Sequence, residues 1–379
     1  MFSRLDLSQL QQLWWIIIAV VGSLFLFLSF VQGGQTLLFS MAKNDLEKSL
    51  VVNSLGRKWK LTFTTLVLLG GALFAAFPLF YATSFGGAYW VWILILFTFI
   101  LQAVSYEFRR KPGNLLGAKT YEIFLFANGS LGLLLFGAAI GTFFTGSDFE
   151  LNAYHQVTWQ HAGRGLEAAA NPFNLALGLF LVFLARVLGA LYLANNIIHQ
   201  ALEERTRKAA FTNLVYAFPF LGYVLVNLMT MDGYGVDPAT GLVTMVKGKY
   251  LTNLLALPVF GLGFLLGGLV LVIWGVAIGR FKKSKSGIWF AGPGVVLIGM
   301  AIFFCAGFND TAFYPSRFDP GSSLTIHNAS SSRYTLIAMS YVALAIPMVF
   351  AYVGHVWHLM DTKKMSVDEV RGEEADEMY

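Results

Sequence analysis

The chain has 379 residues, of which 56% are apolar and only 12% charged, and its mean hydropathy is +0.64. A water-soluble domain carries about 25% charged residues, so this chain lacks half the charge that a wetted surface requires and a soluble globular fold is excluded. The net charge of +5 does not indicate nucleic acid, because the basic residues are confined to connections between long apolar runs.

In chain order, runs long enough to cross a hydrocarbon core, about 20 residues each, fall at 13–38, 61–83, 88–106, 121–144, 173–200, 209–230, 251–279, 287–308 and 334–360. They are continuous rather than alternating, which predicts helices and not barrel strands, since only elements with closed backbone hydrogen bonding persist in lipid. The first run lacks a basic leader and a small-residue cleavage site, so no cleavable signal peptide is expected. Cys305 is the only cysteine, which rules out an intrachain disulfide.

Lys and Arg alternate between connections. One side holds Lys43, Lys48, Arg57, Lys58 and Lys60, then Arg109, Arg110, Lys111 and Lys119, then Arg205, Arg207 and Lys208, then Arg280, Lys282, Lys283 and Lys285, and finally Lys363, Lys364 and Arg371. The other side holds Arg4, Arg164, Lys247, Lys249, Arg317 and Arg333. Because basic loops stay in the cytoplasm, nine spans with the N-terminus outside and the C-terminus inside are expected. Two outer connections, 145–172 and 231–250, read as loops, with Asp232-Gly233-Tyr234 as a turn. A third, 309–333, contains the polar stretch Ser322 to Ser332, able to cap the last helix. The acidic segment from Asp368 onward is expected to be a solvated end. Phe63-Thr64-Thr65-Leu66-Val67 with Ala76-Phe77-Pro78 is echoed by Phe211-Thr212-Asn213-Leu214-Val215 with Ala217-Phe218-Pro219, which suggests a repeat of four helices plus one extra.

Few groups carry recognisable chemistry. There are six histidines: His155, His161 and His327 in outer loops, His199 at the end of the fifth run, and His355 and His358 one turn apart near the end of the ninth. One helix face cannot supply both axial ligands of a haem, and no Cys/His cluster has metal-ligand spacing. Arg186 stands about midway along the fifth run, where a lone charge must face protein or water and be paired. It is expected either to serve a proton path or pair with a cofactor propionate in a neighbouring subunit, or to form a structural ion pair with an acid on an adjacent helix. Lys60 and Glu107 end consecutive runs on the basic side and should meet, as a proton route or as a snorkelling pair. Gln32 and Gln35 flank Gly33-Gly34, which suits close helix packing. A transporter with Arg186 and Gln32 on a midplane path is the alternative reading.

Taken together, several segments resemble subunit II of the cytochrome bd quinol oxidase family. They are Lys43-Asn44-Asp45 with Val52-Asn53-Ser54, Trp59, Gly70-Gly71-Ala72-Leu73-Phe74-Ala75-Ala76-Phe77-Pro78 and Tyr106-Glu107-Phe108-Arg109. Asn171-Pro172-Phe173, Arg205-Thr206-Arg207, Asp232-Gly233-Tyr234, Pro315-Ser316 and Ser323 to Ser331 continue the likeness. The resemblance implies an all-α integral membrane fold of two four-helix bundles (1–145 and 146–308) and a last part, 309–379, with an outer loop, a peripheral ninth helix and the tail. It implies a multi-pass subunit of a terminal oxidase in the bacterial cytoplasmic (inner) membrane, which oxidises quinol, reduces oxygen to water and contributes to a proton gradient. Two b-type haems and one d-type haem would sit on the partner, subunit I, with none ligated by this chain. Membrane lipid, a structural quinone near Trp59 and a small accessory membrane subunit are further expected contacts. The family often has Trp-Asp-Gly-Asn where this chain has Trp59-Lys60-Leu61-Thr62, and Gly-Phe-Asp-Met-Gly where it has Ser29-Phe30-Val31-Gln32-Gly33. Two membrane-edge acids are therefore absent, which fits a divergent member whose proton route is carried by subunit I, and Glu107 is a better candidate than Lys60 for a route at this edge.

Overall fold

The computed structural model describes residues 2–111 and 113–371. Among them, nine helical stretches are long and apolar enough to span a membrane, one for each apolar run. The first comprises α1 (Leu7–Leu28) and α2 (Phe30–Met41), and the second α3 (Asp45–Gly56) and α4 (Trp59–Ala76), followed by the single turn α5 (Pro78–Tyr81). The third is α6 (Tyr89–Phe108). The fourth joins α7 (Ala118–Ala127) to α8 (Leu133–Thr145) through a π-helical segment, Asn128–Gly132. A hairpin of β1 (Phe149–Leu151) and β2 (Val157–Trp159) leads to α9 (Pro172–Asn196) and α10 (Gln200–Thr230). A second hairpin, β3 (Gly233–Val236) with β4 (Val243–Val246), precedes α11 (Lys249–Ala256), α12 (Phe264–Phe281) and α13 (Ile288–Gly307). The ninth span is α14 (Arg333–Ala343) with α15 (Ile346–Thr362), and α16 (Val367–Arg371) follows. Both hairpins and the 309–333 loop lie at one end of the bundle, here the hairpin end, and the basic connections lie at the other.

Several expectations are corrected. The second span ends at Ala76 rather than residue 83, because Pro78 disfavours a helical residue before it and Phe77 departs from helical geometry (φ −130°, ψ 62°). Leu257 before Pro258 likewise separates α11 from the seventh span. Pro219 instead lies inside α10, so the two halves of the internal echo differ. Residues 45–56, read as a connection, form α3: the Asn44 side chain accepts from the Glu47 N–H at 2.9 Å, and Asp45 and Glu47 in the first turn complement the helix dipole. The segment at Asp232-Gly233-Tyr234 enters a strand rather than turning. Gly233 is needed there for space, since a Cβ would lie 2.8–2.9 Å from Lys249 and the Tyr250 ring. Ser332 does cap α14, accepting from the Thr335 N–H at 3.3 Å.

With little hydrophobic drive between helices in lipid, close backbone contact through small residues holds the spans together. A Cβ on Gly33 of α2 would collide with the Ala185 carbonyl on α9, and one on Gly189 of α9 with the Gly34 backbone. Nearer the N-terminus of the same face of α9, Gly178 meets Gly137 of α8, with only 2.6 Å from the latter's ideal Cβ to the former's Cα. α9 also packs along α10 and touches α12 and α13, so it is the central helix, in contact with both halves of the chain.

The ninth span is the least buried, and its attachment is polar. Lys58, fully buried at 0% exposure, donates to Asp361 (10% exposed) at 3.0 Å. The same carboxylate accepts from Asn196 Nδ2 at 3.1 Å and Trp357 Nε1 at 2.8 Å. The Trp357 ring packs among Phe27, Phe30, Tyr192 and Trp289. Beyond it, Glu369 pairs with Arg57 and Val370 is buried. Glu369 and Val370 are thus docked rather than solvated, because Arg57 supplies a fixed cation, whereas Asp368 is exposed as expected; residues 372–379 lie outside the described residues.

Candidate functional site

The first four spans enclose a file of neutral polar side chains. Thr98, Gln102 and Tyr106 recur every four residues along α6, which places them on one face, and all three are buried. Gln32, Gln35 and Thr36 of α2 face them, as does Asn128, where helix seven gives way to the π-helical segment. Such π segments recur at functional positions. Gly129 beside it lets that segment settle against the Gln32 carbonyl. Gln32 Nε2 donates to Gln102 Oε1 at 3.4 Å, Gln35 Nε2 to the Tyr106 hydroxyl at 3.0 Å, and Asn128 Nδ2 to Thr98 Oγ1 at 3.3 Å. These bonds leave Gln32 Oε1, Gln35 Oε1, Gln102 Nε2 and Asn128 Oδ1 buried without a protein partner. Burying a polar group unpaired costs about 1–3 kcal/mol, and ordered water is the usual partner at such places. Toward the hairpin end the file meets Phe25, Phe99 and Phe136, so it reaches from the basic end only part of the way across.

At the basic end, Lys60 and Glu107 meet as expected, 3.9 Å apart with side chains 67% and 50% exposed. So exposed a pair contributes little stability. The Lys60 ammonium lies 5.6 Å over the Trp59 ring, and Trp59 stacks on Tyr106 with centroids 5.6 Å apart and planes 9° apart. This stack separates the exposed pair from the buried amides. Trp59 Nε1 is a further buried donor without an acceptor.

Sequence reasoning missed the stronger ionic contacts around this mouth. Glu122 accepts from Arg109 Nε and Nη2 at 3.2 and 2.9 Å and from Lys48 at 2.9 Å. Glu47 pairs with Arg205 and accepts the Lys43 N–H at 2.6 Å. The available signal was an acid inside an apolar run: Glu122 stands at the start of the fourth.

Arg186 is not joined to an acid. Its Nε donates to Asn213 Oδ1 of α10 at 2.7 Å, and no carboxylate lies within ion-pair distance among the described residues. This corrects the expectation of an acid on an adjacent helix. On insertion scales an Arg at mid-helix costs about 2.5–3.5 kcal/mol, and one amide offsets that only partly. Gln32 turns to Gln102 and Arg186 to Asn213, so the two do not share the midplane path of the transporter reading.

The histidines are dispersed. His199 caps α10, accepting from the Leu202 N–H at 3.3 Å, and His327 pairs with Gln11 at 2.8 Å. His161 lies near Glu167 in the hairpin-end loop, and His155, His355 and His358 are exposed. Cys305 is buried and donates to the Tyr250 carbonyl at 3.4 Å. No two of these groups face each other across a cavity of haem size, so the donor set does not fit a haem. At the hairpin end, burial pushes the Tyr314 hydroxyl up to about 12, and Lys249, lowered by burial, donates to the Asn309 carbonyl at 2.6 Å.

Residues 10–360 match the family described as cytochrome bd terminal oxidase subunit II. Over 366 residues the chain is 28% identical to the cytochrome bd-I ubiquinol oxidase subunit 2 of Escherichia coli (strain K12), covering 92% of this chain and 94% of that one. It is 27% identical to a probable cytochrome oxidase subunit 2 of Haemophilus influenzae (93% and 94% covered). It is 25% identical to the cytochrome bd ubiquinol oxidase subunit 2 of Bacillus subtilis (93% and 95%). In fold it is similar to a chain in the structure of bd oxidase from Geobacillus thermodenitrificans, with a TM-score of 0.61 at 13% identity over 93% of this chain and 98% of that one.

Proposed function

Since the chain belongs to the cytochrome bd terminal oxidase subunit II family, we propose that it is the haem-free partner of a haem-bearing subunit I, carrying a proton route at the edge of the complex. The chain is a multi-pass membrane subunit of a bd-type quinol oxidase, an oxidoreductase complex. Two b-type haems and one d-type haem, supplying electron transfer and oxygen reduction, are assigned to subunit I. The scatter of histidines described above supports that assignment.

The basic end is assigned to the cytoplasm, by the distribution of Lys and Arg. The two-bundle division, 1–145 and 146–308, is retained as a reading of the chain, with α9 bridging the halves. The observation that carries the proton route is the juxtaposition of the Lys60–Glu107 pair, the Trp59–Tyr106 stack and the file of amides with unpaired atoms. Glu107 is assigned as the acid at the entrance of the route, with the Lys60 ammonium 3.9 Å from its carboxylate. The Tyr106 hydroxyl, already bonded to Gln35, leads to water held by Gln32, Gln102 and Asn128. Trp59 is assigned as a contact for a quinone or lipid.

Glu107→Gln in the purified complex is expected to lower oxygen-consumption turnover severalfold and to shift its pH profile. Gln102→Leu, which leaves the exposed pair intact, should lower turnover without shifting that profile. Wild-type turnover and pH dependence in Glu107→Gln would remove Glu107 from the route.

A further inference from the structure

We infer that the face shared by α9 and α10 around Arg186 packs against a partner's transmembrane helix that carries one Asp or Glu at mid-depth. This goes beyond the family reading, which assigns no role to this residue or face.

Arg186 is the fifteenth of the 25 residues of α9, so at 1.5 Å per residue it lies about 15 Å from the Asn196 end. Its Cα–Cβ bond tilts back toward the helix N-terminus, away from the basic end and from the nearer layer of lipid phosphates. The Nε–H is fixed on Asn213 Oδ1 at 2.7 Å, and the amide of Asn213 is itself oriented by donating from Nδ2 to the Ala209 carbonyl at 2.8 Å. Asn213 is the only hydrogen-bond partner of the guanidinium among the described residues, and its terminal amino groups are not among the buried unpaired atoms. They are reachable from outside the chain.

The rim is apolar. Phe183 of α9 stacks on Phe220 of α10 (5.7 Å, 9°) and lies edge-on to Tyr216 (5.8 Å), and Tyr216 is 54% exposed. An aromatic rim at this depth suits a helix rather than bulk water. The charge beside these rings calls for an anion, and a neutral acceptor would not neutralise it. A carboxylate forms a two-pronged pair with the terminal amino groups of an arginine, and membrane helices carry such residues where they are paired. The depth favours a protein carboxylate over a lipid phosphate.

The test uses the native complex in mild detergent, with a photo-crosslinking amino acid at Tyr216 and Arg186 intact. The expected product joins this chain to a transmembrane segment containing an Asp or Glu. Replacing that acid with Asn, or Arg186→Met in this chain, should reduce recovery of the partner about tenfold, equivalent to ~1.4 kcal/mol, while Arg186→Lys should retain most of it. Arg186→Glu should lose the partner and regain it when the partner's acid is changed to Arg, a rescue that a merely misfolded variant would not show. Crosslinks to lipid alone, a captured segment without an acid, unchanged recovery in Arg186→Met or failure of the charge swap would overturn the inference. Oxidase turnover of the same preparations reports separately on the family reading.

Discussion

Replacing Asp361 with Ala is expected to destabilise the protein by about 3–5 kcal/mol, the usual loss when one member of a buried ion pair is removed. The Lys58 ammonium would remain fully buried without its carboxylate. Asn196 and Trp357 would each lose an acceptor as well. Lys58→Met should cost less, because the carboxylate left behind retains those two donors and some access to solvent. The double variant should recover part of the loss, since a buried pair exchanged for apolar groups is often close to neutral. Thermal unfolding of the three purified variants measures this ordering. Protease cleavage after α15 locates it, because this contact fixes the otherwise weakly packed ninth span. Equal losses for the two single variants would argue against the asymmetry.

Gly33→Ala should be similarly damaging for a steric reason. The added methyl would collide with the Ala185 carbonyl and lie 2.5 Å from the Arg186 nitrogen. Both atoms are backbone, so no side chain can turn away and α2 and α9 must separate. Overpacking of this kind costs about 1–3 kcal/mol, occasionally more. Here it acts on the crossing through which the first span meets the central helix. The matched control is Gly71→Ala: nothing lies within 4 Å of the new methyl, and Ala exceeds Gly in helix propensity by about 1 kcal/mol. Unfolding temperature and complex yield should fall in Gly33→Ala and hold or rise in Gly71→Ala. A neutral Gly33→Ala would mean that the crossing is looser than described.

The spans were legible in the sequence because hydropathy and the alternation of Lys and Arg are local properties of a chain that must satisfy its backbone in lipid. The meeting of Lys60 with Glu107 was legible for the same reason, since both end consecutive spans at one level. The close packing at Gly33-Gly34 was legible from residue size. What could not be read was pairing across long separations. Lys58 sits in the run Arg57-Lys58-Trp59-Lys60, which looks like a solvated basic edge, yet its partner Asp361 is 303 residues away. Glu122 and Lys48, on α7 and α3, likewise converge with Arg109, the residue that follows α6. Gln102, Thr98 and Asn128 were not singled out, because a four-residue recurrence of neutral side chains in an apolar run points to nothing until the helices that face it are placed. The hairpins escaped because three- and four-residue strands fall below what alternation can reveal.

The central claim is that this chain is the subunit of a bd-type oxidase whose redox centres belong to its neighbour. The most direct measurement is haem content by subunit: dissociate the purified complex under conditions that retain haem, separate the two large subunits, and record optical spectra and haem-to-polypeptide ratios for each. The account predicts b- and d-type absorption with the partner and none with this chain. Haem recovered in stoichiometric amount with this chain, and lost on replacing one of its own histidines, would contradict it.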